Sequence, residues 1–267
     1  MIFVTGYGQM CNNILQFGHF YAYAKKHNVQ VIGMRFCYKY RYFNINKKTG
    51  YNWFTYLFAK YLAKLKIIKS VEFDESYTQK DTQLLISEKM ILAKGWYFRD
   101  YASFLQYRDE IKTLFDFKNH IKMAVDRFFG ALPKETIKIG VHIRRGDYKN
   151  WHNGIYYFSD EEYCHVINSL TSRLNGRAEL IAVSNDPKLS TEKLSKLTQI
   201  PVSSLNGNPA EDLYLLSKCD YIIGPPSTFS LTAAFYEDKP IYWIFDKNKE
   251  IGPQDFDKFE NLFQHII

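Results

Sequence analysis

Two adjacent guanidinium groups, Arg144 and Arg145, stand between His142 and the Gly146-Asp147 pair, and this stretch holds the chain's densest set of reactive side chains. A planar guanidinium fork matches the oxygens of phosphate or carboxylate in paired, charge-assisted hydrogen bonds. Ile137, Ile139, Val141 and Ile143 alternate with Lys138, Gly140 and His142, a period-two strand that runs directly into the arginines. The arginines are therefore predicted at a strand's carboxyl end, where open α/β sheets bind their ligands. Two other polar turns follow apolar runs in the same way. Ser184-Asn185-Asp186-Pro187 comes after Leu180 to Val183, and Pro225-Pro226-Ser227-Thr228-Phe229-Ser230 comes after Cys219 to Gly224. On one sheet edge the three turns would offer two cations, an imidazole, the carboxylates of Asp147 and Asp186, the amide of Asn185, hydroxyls, and a helix N-terminus. Such a set suits a nucleoside diphosphate, with arginine and helix amides on the phosphates and carboxylates on guanine N–H groups or ribose hydroxyls. Each turn alone also reads as a solvated surface loop. An Arg-Gly-Asp adhesion tripeptide is a weaker reading, because it would follow a core strand instead of riding on a long loop.

The elements that must position these groups can be read from the pattern. From about residue 136 the chain reads as four strands joined by three helices, which the right-handed crossover rule turns into a parallel, doubly wound sheet. Near the start, Ile2 to Val4 is an apolar strand, Gly6-Tyr7-Gly8 a turn, and a helix opens near Met10 with Ile14, Phe17, Tyr21 and Ala24 on one face. It is not a P-loop, since no Gly-Lys-Ser or Gly-Lys-Thr follows, and Cys11 occupies the third glycine of a dinucleotide fingerprint. Asn12 and Asn13 place amides on the first helical turn, as caps or as ligand groups. Residues 51 to 69 are predicted as an amphipathic helix that buries Phe54, Leu57, Phe58, Tyr61, Leu62 and Leu65 and turns Trp53, Tyr56, Lys60 and Lys64 outward. Two domains are expected, residues 1–135 and 136–267.

A net charge of +7 predicts attraction to anions without choosing among them. The excess is concentrated: eleven lysines and arginines, and no acidic residue, precede Glu72. No RRM, KH or helix-turn-helix signature accompanies it, so nucleic acid is not the expected partner. A membrane surface or an anionic donor is. Cys11, Cys37, Cys164 and Cys219 form no C-x-x-C pair and are expected as free thiols. The opening MIFVTGYG lacks the charged and apolar regions of a signal peptide, and no apolar run approaches the roughly 20 residues that span a bilayer. The expected location is cytoplasmic, either dissolved or peripheral at the inner membrane face.

His142-Ile-Arg-Arg-Gly-Asp-Tyr148 resembles the H-x-R-R-G-D-Y signature of the α-1,2-fucosyltransferases of glycosyltransferase family 11. Ser184 to Pro187 and Ser227 to Ala234 resemble the next two signatures of the wider fucosyltransferase superfamily, in order. Gly8 to Phe17 is similar to the family's G-x-G-N-Q-x-x-Q-[YF] opening and departs from it at Cys11 and Asn13, while residues 35 to 130 match nothing. The resemblance implies a GT-B enzyme, two Rossmann-like α/β domains facing a cleft, that transfers L-fucose from GDP-β-L-fucose with inversion to a glycan hydroxyl, α-1,2 on galactose. The acceptor could be a lipid-linked oligosaccharide. Another GDP-sugar transferase, a different linkage, or a non-catalytic nucleotide-binding module are the alternatives. Carried over residue by residue, Arg144 is the β-phosphate ligand and leaving-group stabiliser, and His142 and Asp186 contact guanine. Ser227, Thr228 and Phe229 line the nucleotide pocket, Arg145, Asp147 and Asn185 belong to the donor site, and Asn12 reaches toward donor phosphate or acceptor. With Arg144 opposing the diphosphate and no strand ending in Asp-x-Asp, neither metal nor other cofactor is expected. Asp255-x-Asp257 lies in a polar C-terminal segment. The general base is left open; Asp147 is read as orienting the arginines.

Overall fold

A computed structural model of the chain describes residues 1–266. It divides into two compact units, Met1–Lys118 and Asn119–Ile267, each built on an all-parallel sheet with helical crossovers. In the first unit, strands β1 (Ile2–Val4), β2 (Val31–Gly33), β3 (Lys69–Phe73) and β4 (Ile91–Gly95) lie in the order β2-β1-β4-β3. The second contains β5 (Ile137–Ile143), β6 (Ala178–Ser184), β7 (Val202–Ser203), β8 (Tyr221–Gly224) and β9 (Ile241–Trp243), in the order β7-β6-β5-β8-β9. The helix Asn119–Gly130 precedes β5 yet packs on the helix Pro209–Ser217, which places it in the second unit and sets the division at 118/119 instead of 135/136.

The doubly wound pattern read from residue 136 onward is present. A helix, Thr191–Thr198, and the two-residue β7 are added where the sequence carries little signal. β5 is central and covered on both faces. Ile139, Val141 and Ile143 enter a core with Tyr163, Ile167, Leu170 and Leu180, where burial of each large apolar side chain contributes roughly 1.5–3 kcal/mol. On the other face, a Cβ at Gly140 would lie 2.8 Å from Leu216, so the glycine lets the helix Pro209–Ser217 close on the strand. Strand order reverses at β5, with β6 and β7 on one side and β8 and β9 on the other. The switch point therefore lies between the carboxyl ends of β5 and β8, the place where such sheets open a ligand crevice.

The helix predicted over 51 to 69 spans Trp53–Lys64, and its inward face differs from the expected one. Ala59 is fully buried, with Tyr56, Leu62 and Ala63 packed beside it on a cluster of Phe3, Met34, Ile68 and Leu92. Phe54, Phe58, Tyr61 and Leu65, read as core residues, are exposed. The helix is apolar nearly all round, so hydrophobic spacing alone cannot choose its face, and alanine permits the nearer approach to the sheet. Among the described residues no helix is long and apolar enough to cross a membrane. All four cysteines are buried.

Candidate functional site

The three polar turns sit where the pattern placed them, at the carboxyl ends of the neighbouring strands β6, β5 and β8. The two arginines that leave β5 have different surroundings. Arg145 is the inner one, with a side chain only 14% exposed. Its guanidinium donates to Asp186 at 3.1 Å and to Asp160, which also pairs with Lys193 at 2.8 Å. Burial opposes the charge on Arg145, but the two carboxylates outweigh it and raise its pKa above the ordinary arginine value. Asp160 is likewise held below the usual carboxylate range: burial works against this, and the Lys193 and Arg145 pairs prevail. Asp186 is lowered first by the Lys188 N–H, 2.9 Å away, and then by Arg145.

The backbone of the turn is fixed as firmly as the Arg145 side chain. Asn185 accepts from the Arg145 N–H at 2.8 Å and donates back to its carbonyl at 3.2 Å and to Asp147 at 3.4 Å. The Tyr163 hydroxyl, deep in the core, accepts from the Arg144 N–H at 3.2 Å. Arg144 itself is tethered lightly. One guanidinium nitrogen meets Asp147 at 2.7 Å, and that carboxylate is 59% exposed; the guanidinium carbon lies 5.4 Å from the Tyr148 ring centre. The Arg144 Nε is buried with no hydrogen-bond partner. An incoming anion thus finds Arg144 oriented by its neighbours and not neutralised in a closed network.

His142 lies on the last turn of pleat before the arginines, 3% exposed, with its ring 5.0 Å from that of Phe229. Burial first, and Arg144 second, lower its pKa to about 3, so the imidazole is neutral at pH 7 and its Nδ1 has no hydrogen-bond partner. Its backbone touches β8 closely: a Cβ at Gly224 would come within 2.8 Å of the His142 carbonyl oxygen, which explains the glycine there. Ser227 caps the helix Thr228–Glu237 by accepting from the Phe229 N–H at 3.1 Å. Ser230 is tied to the Ser227 carbonyl and to the Trp243 indole N–H, and Tyr148 donates to the Pro226 carbonyl at 2.6 Å. The Tyr148 link joins the Arg-Arg-Gly-Asp turn to the turn after β8. Burial raises the Tyr148 phenol to about 12, which keeps it protonated as a donor.

Of the predicted site residues, His142, Arg144, Arg145, Asp147, Asn185, Asp186, Ser227, Thr228 and Phe229 all lie on this edge of the second unit. Asp186 spends its two oxygens on Arg145 and the Lys188 N–H, and Asn185 braces the turn. Asn12 belongs to the first unit, half-buried on the first turn of the helix Met10–Lys26. Its neighbour Asn13 is the residue that builds the turn after β1. Asn13 is 1% exposed, accepts from the Tyr7 N–H at 3.1 Å and donates to the carbonyls of Tyr7 at 2.8 Å and Gln9 at 2.6 Å. Gly6, at φ +81°, leaves the room that Asn13 fills. Asp160 and Tyr163 were not singled out from sequence. The available sign was Ser159-Asp160-Glu161-Glu162, which reads as a capped helix start and does serve as one.

The family model for glycosyl transferase family 11 matches residues 64–256. No curated protein matches the sequence. Among solved structures, the chain is similar to a mutant of Arabidopsis thaliana FUT1 in complex with GDP, with a TM-score of 0.66 and 16% identity over 96% of this chain and 73% of that one. It is also similar to the NodZ α-1,6-fucosyltransferase soaked with GDP-fucose, with a TM-score of 0.58 and 11% identity over 96% and 98% of the two chains. POFUT1 in complex with GDP-fucose follows, with a TM-score of 0.55 and 12% identity over 94% and 96%. At these identities the structural matches speak for the fold. The family match takes in β5, β6 and β8, all three turns and the paired arginines between them, and the chain therefore belongs to glycosyl transferase family 11.

Proposed function

We propose that the protein is an inverting fucosyltransferase that moves L-fucose from GDP-β-L-fucose to a glycan hydroxyl, forming an α-1,2 linkage on galactose. The observation that carries this reading is the unequal pair of arginines at the switch point: Arg145 closed between two carboxylates, Arg144 held in place but open to an anion. Family membership and three fucosyltransferase neighbours, described as bound to GDP or GDP-fucose, support the donor. The H-x-R-R-G-D-Y resemblance supports the linkage.

In this reading the acceptor hydroxyl oxygen attacks the anomeric carbon from the face opposite the diphosphate, the new C–O bond forms as the sugar–phosphate bond breaks, and the hydroxyl proton is released to water. The electron pair leaves on GDP, whose β-phosphate gathers negative charge in the transition state. Arg144 meets that charge from a fixed position, so it stabilises the transition state more than the ground state and needs no reorganisation. Asp147 holds the guanidinium until the diphosphate arrives. Neutral His142, its ring tilted against that of Phe229, offers a hydrogen-bonding ring to guanine. Ser227, Thr228 and Phe229 line the nucleotide, while Asn185 and Asp186 act through Arg145 and the turn. No metal or other cofactor is assigned a role, because Arg144 and the helix N-terminus at Thr228 supply the opposing positive potential.

The test is a transfer assay with GDP-fucose and GDP-mannose offered in parallel to galactose-terminated acceptors, with the product linkage read by NMR. Fucosylated product linked to the galactose 2-hydroxyl is expected. Mannosyl transfer would move the reading to another GDP-sugar, and a different linkage would correct the acceptor position. Nucleotide binding with neither transfer nor GDP-fucose hydrolysis would leave only a binding module.

A further inference from the structure

We propose that the outward face of the helix Trp53–Lys64 is a docking surface for an anionic lipid bilayer. Residues 54, 58, 61 and 65 follow the four-three-four spacing that returns side chains to one side of a helix. They are Phe54, Phe58, Tyr61 and Leu65, exposed by 81%, 53%, 54% and 66% respectively. Trp53 and, just past the helix, Ile67 are also more than half exposed. Single exposed hydrophobic residues are ordinary, but an aligned row of this length is not expected on a surface that meets only water. The opposite face, around Ala59, is already seated on the sheet and accounts for the fold without this row.

Charge selects the occupant. Lys60 and Lys64 lie one turn apart along the flank that also carries Trp53, and Lys66 follows the helix end. No Asp or Glu occurs anywhere from Met1 to Val71. A helix of 12 residues is about 18 Å long and lies flat: its aromatic row enters the boundary between headgroups and acyl chains, and its lysines meet lipid phosphates. A second copy of the chain is a poorer partner. A two-fold contact through this face would bring Lys60, Lys64 and Lys66 against their own equivalents, a like-charge arrangement that the bilayer avoids.

The experiment is co-sedimentation of the whole chain with vesicles of phosphatidylglycerol and phosphatidylcholine in equal parts, and with pure phosphatidylcholine, at low and high salt. Binding is expected to the mixed vesicles, weakened by salt, and absent from the neutral ones. F54S/F58S is expected to lower the vesicle-bound fraction constant by about tenfold or more, the scale of removing two buried aromatic rings. K60E/K64E should also release the protein from the vesicles, and both variants should keep wild-type circular dichroism because all four residues are exposed. Failure of the wild type to bind mixed vesicles at low salt overturns the proposal. So does vesicle binding that both double variants retain in full. A concentration-dependent dimer in sedimentation that F54S/F58S abolishes, without vesicle binding by the wild type, would assign the face to self-association instead.

Discussion

Replacing Arg144 and Arg145 one at a time by alanine should separate a catalytic arginine from a structural one of the same type in adjacent positions. Arg144 has one ion-pair partner, and that partner is 59% exposed, so its loss should change folding stability by less than about 1 kcal/mol. In the proposed mechanism its removal takes a transition-state donor from the departing diphosphate, which is expected to lower turnover by roughly a hundredfold or more. Arg144→Lys should recover little of that, because an ammonium does not reproduce the fork. Arg145→Ala strands two carboxylates that are each less than a fifth exposed. An orphaned buried partner costs about 3–5 kcal/mol. Asp160 retains Lys193 and Asp186 retains the Lys188 N–H, which reduces the expected loss to roughly 2–3 kcal/mol. Denaturant titrations and initial rates of fucosyl transfer measured on the same preparations read both quantities. Near-normal transfer by Arg144→Ala, or wild-type stability of Arg145→Ala, would refute the division of roles.

Chelation with EDTA should leave the transfer rate unchanged, since the charge opposing the diphosphate is assigned to Arg144; activity lost to EDTA and restored by Mn²⁺ or Mg²⁺ would contradict that. GDP should bind more tightly than UDP in calorimetry, and a His142→Ala variant should narrow the gap. Asn13→Ala should lower the melting temperature through four lost or weakened turn contacts, and Asn12→Ala should reduce turnover. Acid should destabilise the fold through His142 and His19, each lowered by burial, then by a nearby arginine, from 6.5 to about 3. Between those values the unfolded chain binds protons that the native imidazoles do not, so stability is present above about pH 6.5 and falls as pH drops. One unit below 6.5 the loss is roughly 1 kcal/mol per imidazole. Asp212, whose carboxyl is raised by burial to about 7, opposes it over the same range, so the check is the difference between proteins: His142→Gln should lose less stability than wild type on going from about pH 6.5 to about 5.5, by about one imidazole's share.

The half of the fold that carries the site was legible because its strands are buried and bounded. Ile137 to Ile143 alternates cleanly, and Gly224-Pro225-Pro226-Ser227 can only turn. The division at 118/119 was not, because nothing in Asn119 to Gly130 says which neighbour it will pack against; that depends on a helix ninety residues later. The face of the helix Trp53–Lys64 misled for a related reason. Aromatic and aliphatic residues occupy most of its circumference, and the face seated on the sheet carries Ala59 and Ala63, the smallest among them. Within the site, the reactive types and their strand ends could be read, but not who would pair with whom. Neither the pairing of Asp186 with Arg145 nor that of Asp160, which reads only as a helix-start acid, could be read from the sequence.

That pairing explains why two arginines in succession make sense where one would do less. On β5 consecutive side chains point to opposite faces, and the pleat carries this divergence into the turn, so neighbours in sequence enter different surroundings. Arg145 goes inward, where a lone guanidinium would be costly, and is made tolerable by Asp160 and Asp186 from the crossover helix and the end of β6. Those bonds, with Asn185 on the same residue's backbone, leave the turn little freedom. Arg144 inherits the rigidity without the neutralisation: its N–H is pinned by Tyr163 in the core, and its guanidinium faces one solvated carboxylate. A cation held this way has lost much of its flexibility before any ligand arrives, so less entropy remains to be lost when a diphosphate binds or departs. The structural arginine is thus what gives its neighbour a fixed aim.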